Sequence, residues 1–452
     1  MYRFHEAKIK GKVYITPKNI LPVQPFRRKI KQFLYFPRRF AVSCRVITIL
    51  LLSVLAFPVS LRAAQVKTGA ELMADDDFSL LKGKKFGLVT NRSATVRGVH
   101  LLDLMASAGI SPVVIFTPEH GLQGAEEDGV RLADGSEGGI PVKSLYGATH
   151  RPREEDIKGL DVLVFDIQDV GARFYTYIST MGRVMQAAAK MGIPLVVLDR
   201  PNPLGGDYVS GFARDGIVPS FTSLYPIPVA HGMTVGELAL MIRGARMLPG
   251  LASLDLTVVE MEGWQRWMRW PDTGFSWVPT SPNIANFETS LLYAGTCLLE
   301  GTGASEGRGT SEPFRVAGWP GIDAEALAVK LNRMGLPGVR FTPVQFTPAC
   351  IPGKSSDPKY RNREINGIRI EITDYRSVLP VETGVAVITG LYAAIPASEK
   401  KSFFWKGFDD LAGSAELRRA TEAGEAPEQI THLWDNDVFE FMLKRGEYLL
   451  YP

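Results

Sequence analysis

The sequence predicts an α/β protein, in which a parallel sheet covered by helices on both faces is followed by a smaller α+β unit. Three observations carry that expectation. From Lys84 to Asp199, short apolar runs alternate with amphipathic stretches, the pattern parallel sheets impose because their strands are buried on both sides. A glycine-rich stretch, Glu300 to Thr310, interrupts the alternation, and beyond it the order of elements changes. The chain has 452 residues, 45% of them apolar, which is enough for two or three cores.

The elements follow from these runs in order. Strands are expected at Phe86–Thr90, Val113–Phe116, Val162–Asp166 and Leu195–Asp199, each short, apolar and bounded by polar or glycine-containing segments. Helices fit Gly98–Ala108, Arg173–Met191, Val235–Met247 behind the N-cap Thr234, and residues 287–299. A helix near Asp323–Arg333, strands near Val339–Phe346 and Ile368–Ile372, and a helix after Glu382 make up the α+β unit. The expected organisation is a leader over 1–64, a sheet domain over 65–302 and an auxiliary domain over 303–452.

The leader is read from charge and from one apolar run. Residues 1–64 hold 13 Lys or Arg and a single acid, Glu6; without them, 38 basic residues face 47 acidic ones, and the formal charge of +3 becomes −9. Arg38, Arg39 and Arg45 precede the apolar run Val46–Ala56, and Ala63 and Ala64 follow it, the pattern of a secretory signal. The run is shorter than the roughly 20 residues of a spanning helix, so no membrane span is expected in the mature form. A periplasmic or secreted protein is the expectation. An acidic mature chain argues against nucleic acid. Cys297 and Cys350, the two cysteines past the leader, are expected as buried thiols, since they are too few for a disulfide framework or a four-thiolate zinc site. The histidines lack metal-ligand spacing, and neither metal nor cofactor is expected.

Three strand ends carry the candidate chemistry. The run Val113–Phe116 hands Thr117-Pro118-Glu119-His120-Gly121 to its carboxyl end, the edge at which open α/β sheets bind ligands. Glu119 is either a desolvated carboxyl raised toward the range of a general acid or a carboxylate held by the next helix's dipole. His120 is a candidate to orient Glu119 or share its proton, or is a satisfied structural histidine. The second end delivers Asp166, Asp169, Arg173, Tyr175 and Tyr177. Its acids are candidates for base or sugar-hydroxyl contacts, or are turn acceptors; Arg173 suits a substrate carboxylate, and the tyrosines suit a pyranose face or core packing. The third end supplies Asp199 and Asn202, as polar contacts or turn caps.

Two local patterns are set aside. Gly303-Ala304-Ser305-Glu306-Gly307 has the spacing of a serine-hydrolase elbow but lacks a preceding strand, so an esterase or β-lactamase-like activity at Ser305 is only the alternative reading. Gly301-Thr302-Gly303 hints at a dinucleotide loop with the wrong spacing to Gly307.

Taken in order, Thr90-Asn91, Pro118-Glu119-His120-Gly121, the run Asp166 to Arg173, Asp199-Arg200-Pro201-Asn202-Pro203, Ser281-Pro282-Asn283, Glu300-Gly301-Thr302 and Gly307-Arg308-Gly309-Thr310 cover residues from about 85 to 315. In this set the chain resembles the NamZ exo-β-N-acetylmuramidases, glycoside hydrolase family 171, formerly a domain of unknown function. The resemblance implies a Rossmann-like domain without a nucleotide, a smaller second domain, and an active site between them. It implies exo-acting release of N-acetylmuramic acid from the non-reducing ends of peptidoglycan fragments, with the catalytic glutamate at Glu119. Asp166, Asp169 and Glu306 are candidates for its partner group, Asn91 and Asn283 for sugar contacts, and Arg308 with Arg173 for the lactyl carboxylate. A non-catalytic wall-binding protein with the same residues is the remaining alternative.

Overall fold

The structure, a computed structural model, describes residues 65–214 and 219–452 together with an antiparallel strand pair, Glu6–Ile9 and Lys12–Ile15. The apolar run and cleavage site of the expected leader lie outside the described residues.

A seven-stranded sheet forms the centre of residues 65–452. Its strands are β1 (Phe86–Thr90), β2 (Val114–Thr117), β3 (Gly135–Glu137), β4 (Ile140–Ser144), β5 (Val162–Asp166), β6 (Leu195–Leu198) and β7 (Leu256–Val259). They lie in the order β7-β6-β5-β1-β2-β4-β3, every neighbour parallel except the hairpin β3-β4. Strand order reverses between β1 and β5, because β2 and β4 go to one side and β6 and β7 to the other. β1, β2, β5 and β6 are buried along their whole length, which is why they read as unbroken apolar runs. Val113, 47% exposed, stays outside β2, contrary to expectation.

Helices cover both faces: α1 (Gly69–Asp75), α2 (Leu101–Ser107), α3 (Glu154–Ile157), α4 (Thr176–Met191), α5 (Val235–Gly244) and α6 (Phe287–Thr296). α2 starts three residues later than the apolar pattern predicts. Arg97 and Gly98, with φ of 50° and 81°, form the tight turn of a two-residue hairpin between Thr95–Val96 and Val99–His100, and a helix cannot pass through two left-handed residues. α4 starts at Thr176, not Arg173, and ends at Gly192, whose φ of 65° supplies the left-handed cap. α5 carries the expected cap Thr234 as a full capping box with Glu237, and ends at Gly244, short of Met247.

The C-terminal part holds a three-stranded antiparallel sheet, β8 (Val316–Trp319), β10 (Ile365–Ile372) and β9 (Val339–Phe346) in that order, with α7 (Ala324–Arg333) and α8 (Pro380–Ala394). Four short helices follow: α9 (Phe408–Ala412), α10 (Glu416–Ala423), α11 (Pro427–His432) and α12 (Asp435–Arg445). One apolar core runs from Phe116, Phe165 and Val197 under the large sheet through Leu291 of α6 to Val385 of α8 and Ile368 of β10. A second cluster, with Leu88, Val164 and Leu198 against Phe78 and Leu101, fills the other face of the large sheet. α6 and α8 cross so closely that a Cβ on Gly295 would sit 1.8 Å from Pro380 O, and one on Gly384 2.4 Å from Gly295. Of the two cysteines, Cys297 is buried as expected, whereas Cys350 is exposed, in the irregular stretch after β9. Among the described residues no helix is long and apolar enough to cross a membrane.

Candidate active site

The end of β2 is built to present a carboxylate. After Pro118 the chain reverses through His120 and Gly121, with φ of 70° and 75°. A left-handed histidine is strained, and such strain collects at functional sites. Glu119 is 7% exposed and lines a cavity of about 230 Å³. Its Oε1 accepts from the Gly129 amide at 2.9 Å and its Oε2 from the Thr176 hydroxyl at 2.7 Å, so a loop and the first residue of α4 fix its rotamer. Tyr146 stands at the cavity wall; burial, and then the Glu119 charge beside it, raise its phenol above the ordinary range.

Another part of the lining is ionic. Arg308 donates from Nε to Glu300 Oε1 at 2.7 Å and from Nη1 to Asp128 Oδ1 at 2.9 Å, and lies 5.1 Å from the centre of the Phe314 ring. Burial opposes its charge, but Glu300, Asp128 and Glu306 outweigh that and hold its pKa above the ordinary value. Burial raises the Glu300 carboxyl; Arg308 opposes the shift, and Glu306 and Asp128 add to it. The Cys297 thiol, 3.4 Å from Glu300 Oε2, closes that end. Of the expected residues, Glu119, His120, Tyr175, Asn283 and Arg308 line this cavity.

The others are held elsewhere, each for a visible reason. Asp166 is fully buried in a two-pronged pair with Arg200, at 2.5 and 2.8 Å, and is a structural carboxylate, not a base. Asp169 caps the turn at Gly171 N (2.6 Å) beneath the surface, and burial pushes it up to about 7. Arg173 does not wait for a substrate carboxylate: it is wholly buried and donates to the carbonyls of Phe212, Ile227 and Leu411, tying α9 to the sheet domain. Asp199 gathers Gly236 N, the Thr234 hydroxyl and the Tyr451 phenol, and Asn202 bonds Met233 O and Leu204 N. Tyr177 and Asn91 form the floor below Glu119, Asn91 Nδ2 donating to the phenol at 3.0 Å and the phenol to Thr280 O. Glu306 pairs with Lys359 at 2.8 Å.

Three residues need finer correction. His120 does not bond Glu119; its Nδ1 is 2.7 Å from Glu126 O, so that nitrogen carries the proton. Tyr175 reaches the cavity as part of a packed aromatic group, with its hydroxyl on Thr280 and its ring 4.7 Å from Tyr177. Ser305 is buried in a backbone bridge to Gly318 and its hydroxyl accepts from Gly307 N, which removes the serine-hydrolase reading. Asp128, Tyr146 and Thr176 were not singled out from sequence, and Glu300 stood only in the motif Glu300-Gly301-Thr302, without a role. Glu300 alone had a signal, at the head of the glycine-rich run that brings Arg308.

Family models for the N-terminal and C-terminal parts of exo-β-N-acetylmuramidase NamZ match residues 86–288 and 291–451. The chain belongs to this family. It is 39% identical over 392 residues to the peptidoglycan β-N-acetylmuramidase NamZ of Bacillus subtilis (strain 168), covering 86% of this chain and 92% of that one. Two crystal structures of DUF1343 family proteins from Bacteroides fragilis are also similar. One has a TM-score of 0.77 at 35% identity, covering 86% of this chain and 99% of that one; the other has 0.70 at 34%, covering 85% and 99%. The expected mixed α/β architecture is therefore shared with solved relatives. Among the described residues no cluster of His, Cys, Asp or Glu is arranged to hold a metal.

Proposed function

We propose that the chain is an exo-acting glycoside hydrolase that releases N-acetylmuramic acid from the non-reducing ends of peptidoglycan fragments. The observation that carries this is a single cavity lined both by a rotamer-locked glutamate, Glu119, and by an arginine, Arg308, already framed by carboxylates. Cleavage of a glycosidic bond needs a proton for the leaving oxygen and a second group on the other face of the sugar. Glu119 is the proton donor, and Thr176 and Gly129 hold it in place. Glu300 is the second group: it sits on the 3-10 turn after α6, paired with Arg308, and burial raises its carboxyl. Asp128, 47% exposed on a loop, is less well fixed. Arg308 takes the lactyl carboxylate that distinguishes muramic acid from glucosamine, exchanging part of its contact with Asp128 for it.

The charge pattern of residues 1–64 and a wall substrate support export to the periplasm or the medium. Release of the sugar from a chromogenic muramide tests the catalytic assignment. Glu119→Gln is expected to lower kcat by about 10²–10⁴-fold with an unchanged melting temperature; equal rates in the two proteins overturn it.

A further inference from the structure

A second cavity, of about 380 Å³, lies at the carboxyl ends of the strands where sheet order reverses. Ser93 and Thr95 after β1, Gln168 after β5, Arg200 after β6, and Trp270 and Phe275 on the connection beyond β7 line it. In open α/β sheets this crevice is the general place for a ligand. Glu119 stands one strand away, at the end of β2, so the reaction leaves the crevice unused. Its volume falls within the roughly 300–1,000 Å³ of small-molecule sites.

The lining does not favour an anion. Arg200 is locked by Asp166, and Arg97, which also lines the cavity, is paired with Glu71 at 2.9 Å and Asp75 at 2.6 Å. A phosphate or carboxylate would find no free cation there and would face Glu71. The remaining lining combines neutral hydroxyls and an amide with aromatic rings, the pairing that suits a sugar ring with polar edges and an apolar face. Two lining residues also carry buried polar atoms without partners, Gln168 Oε1 and Trp270 Nε1. Gln168 cannot be reversed, since its Nε2 donates to Asp169 O and Pro201 O, both at 2.8 Å. Both atoms lie beneath the cavity lining, so the choice of ligand rests on the lining groups themselves.

We propose that this crevice is a second carbohydrate site, separate from the catalytic cavity, for an uncharged N-acetylated sugar of the glycan. The proposal rests on the functional reading above only for the choice of sugar. N-acetylglucosamine, which is N-acetylmuramic acid without the lactyl ether group, and inorganic phosphate are titrated into protein labelled with ¹⁵N at tryptophan. The Trp270 indole resonance, assigned with Trp270→Phe, is followed. The sugar is expected to shift it saturably with a dissociation constant on the order of 1 mM, and phosphate not at all. Gln168→Leu, and Ser276→Trp, which fills the mouth from an exposed position, should each weaken the shift by at least about tenfold while muramide hydrolysis continues. Glu119→Gln should keep the shift, which separates failure of this site from failure of the catalytic assignment. An indole that does not respond to the sugar, responds equally to phosphate, or responds unchanged in both cavity variants overturns the proposal.

Discussion

With one oxygen on Gly171 N and the other without a partner, Asp169 keeps its proton in the folded protein up to about pH 7. An unfolded aspartic acid loses it near pH 4. Between those values the native state binds the extra proton, so this group makes stability fall as pH rises from about 4 to about 7, and not beyond. Asp199, pushed up to about 6 by burial, acts in the same direction over a narrower window, and His231, pushed down to about 3 by burial, acts oppositely as pH drops below about 6.5. Both remain in Asp169→Asn, so the difference between wild type and variant isolates Asp169. Urea midpoints at pH 4.5 and 7.5 are expected to show a smaller decline in the variant; an equal decline places the proton elsewhere. Arg308 is tested by specificity. Arg308→Ala should lower kcat/KM for a muramide by at least about tenfold more than for the matching glucosaminide, because only the former carries the carboxylate. Equal losses would mean that Arg308 merely pins the loop.

Arg173 shows how one side chain joins elements distant in sequence. Its guanidinium, lowered to about 9 by burial, holds three carbonyls, one of them at Leu411 in α9, and Leu411 lines the catalytic cavity. Arg173→Met leaves those carbonyls buried without donors, at about 1–3 kcal/mol each. The melting temperature should fall sharply, and limited proteolysis should cut first near 408–413, where α9 is released. Protection of that segment equal to wild type would show that α9 is held by its apolar contacts alone. The elements legible in the sequence were those whose burial is uniform: β1 and β5 are as predicted, because all five positions in each are covered. The hairpin β3-β4, β7 and the four short C-terminal helices were missed. β3 is exposed throughout, β7 is only half-buried, and the helices span one to three turns, too short for a hydrophobic period to declare itself.

The C-terminal residues close back on the sheet domain, with the Tyr451 hydroxyl donating to Asp199 Oδ2 at 2.6 Å and accepting from Met261 N at 2.9 Å. Cavity, core and chain end are thus parts of one unit of residues 62–452. The export proposed above concerns the whole chain and is tested on it. Expressed with its leader in a bacterium, the protein should be recovered outside the cytoplasm with its N-terminus near Ala64, and intact-mass measurement reads this directly. A full-length chain retained in the cytoplasm would overturn the assignment.

The sequence by itself determined the sheet, the strand ends at which polar residues collect, and the glutamate at the foremost of them, because burial on both faces writes itself into apolar runs and a carboxyl end follows each run. Which of those polar residues line the cavity was decided only in three dimensions. Asp166, Arg173 and Asp199 have the same chemistry as Glu119 and Arg308. Each, however, meets a partner brought from 34 to 252 residues away, Arg200, Leu411 and Tyr451, and none of the three lines the cavity that holds Glu119 and Arg308. Glu300 and Asp128 became neighbours through Arg308, which lies 180 residues from Asp128 in sequence. Such pairings depend on how the loops and short helices fold over the sheet edge, and no local pattern records that.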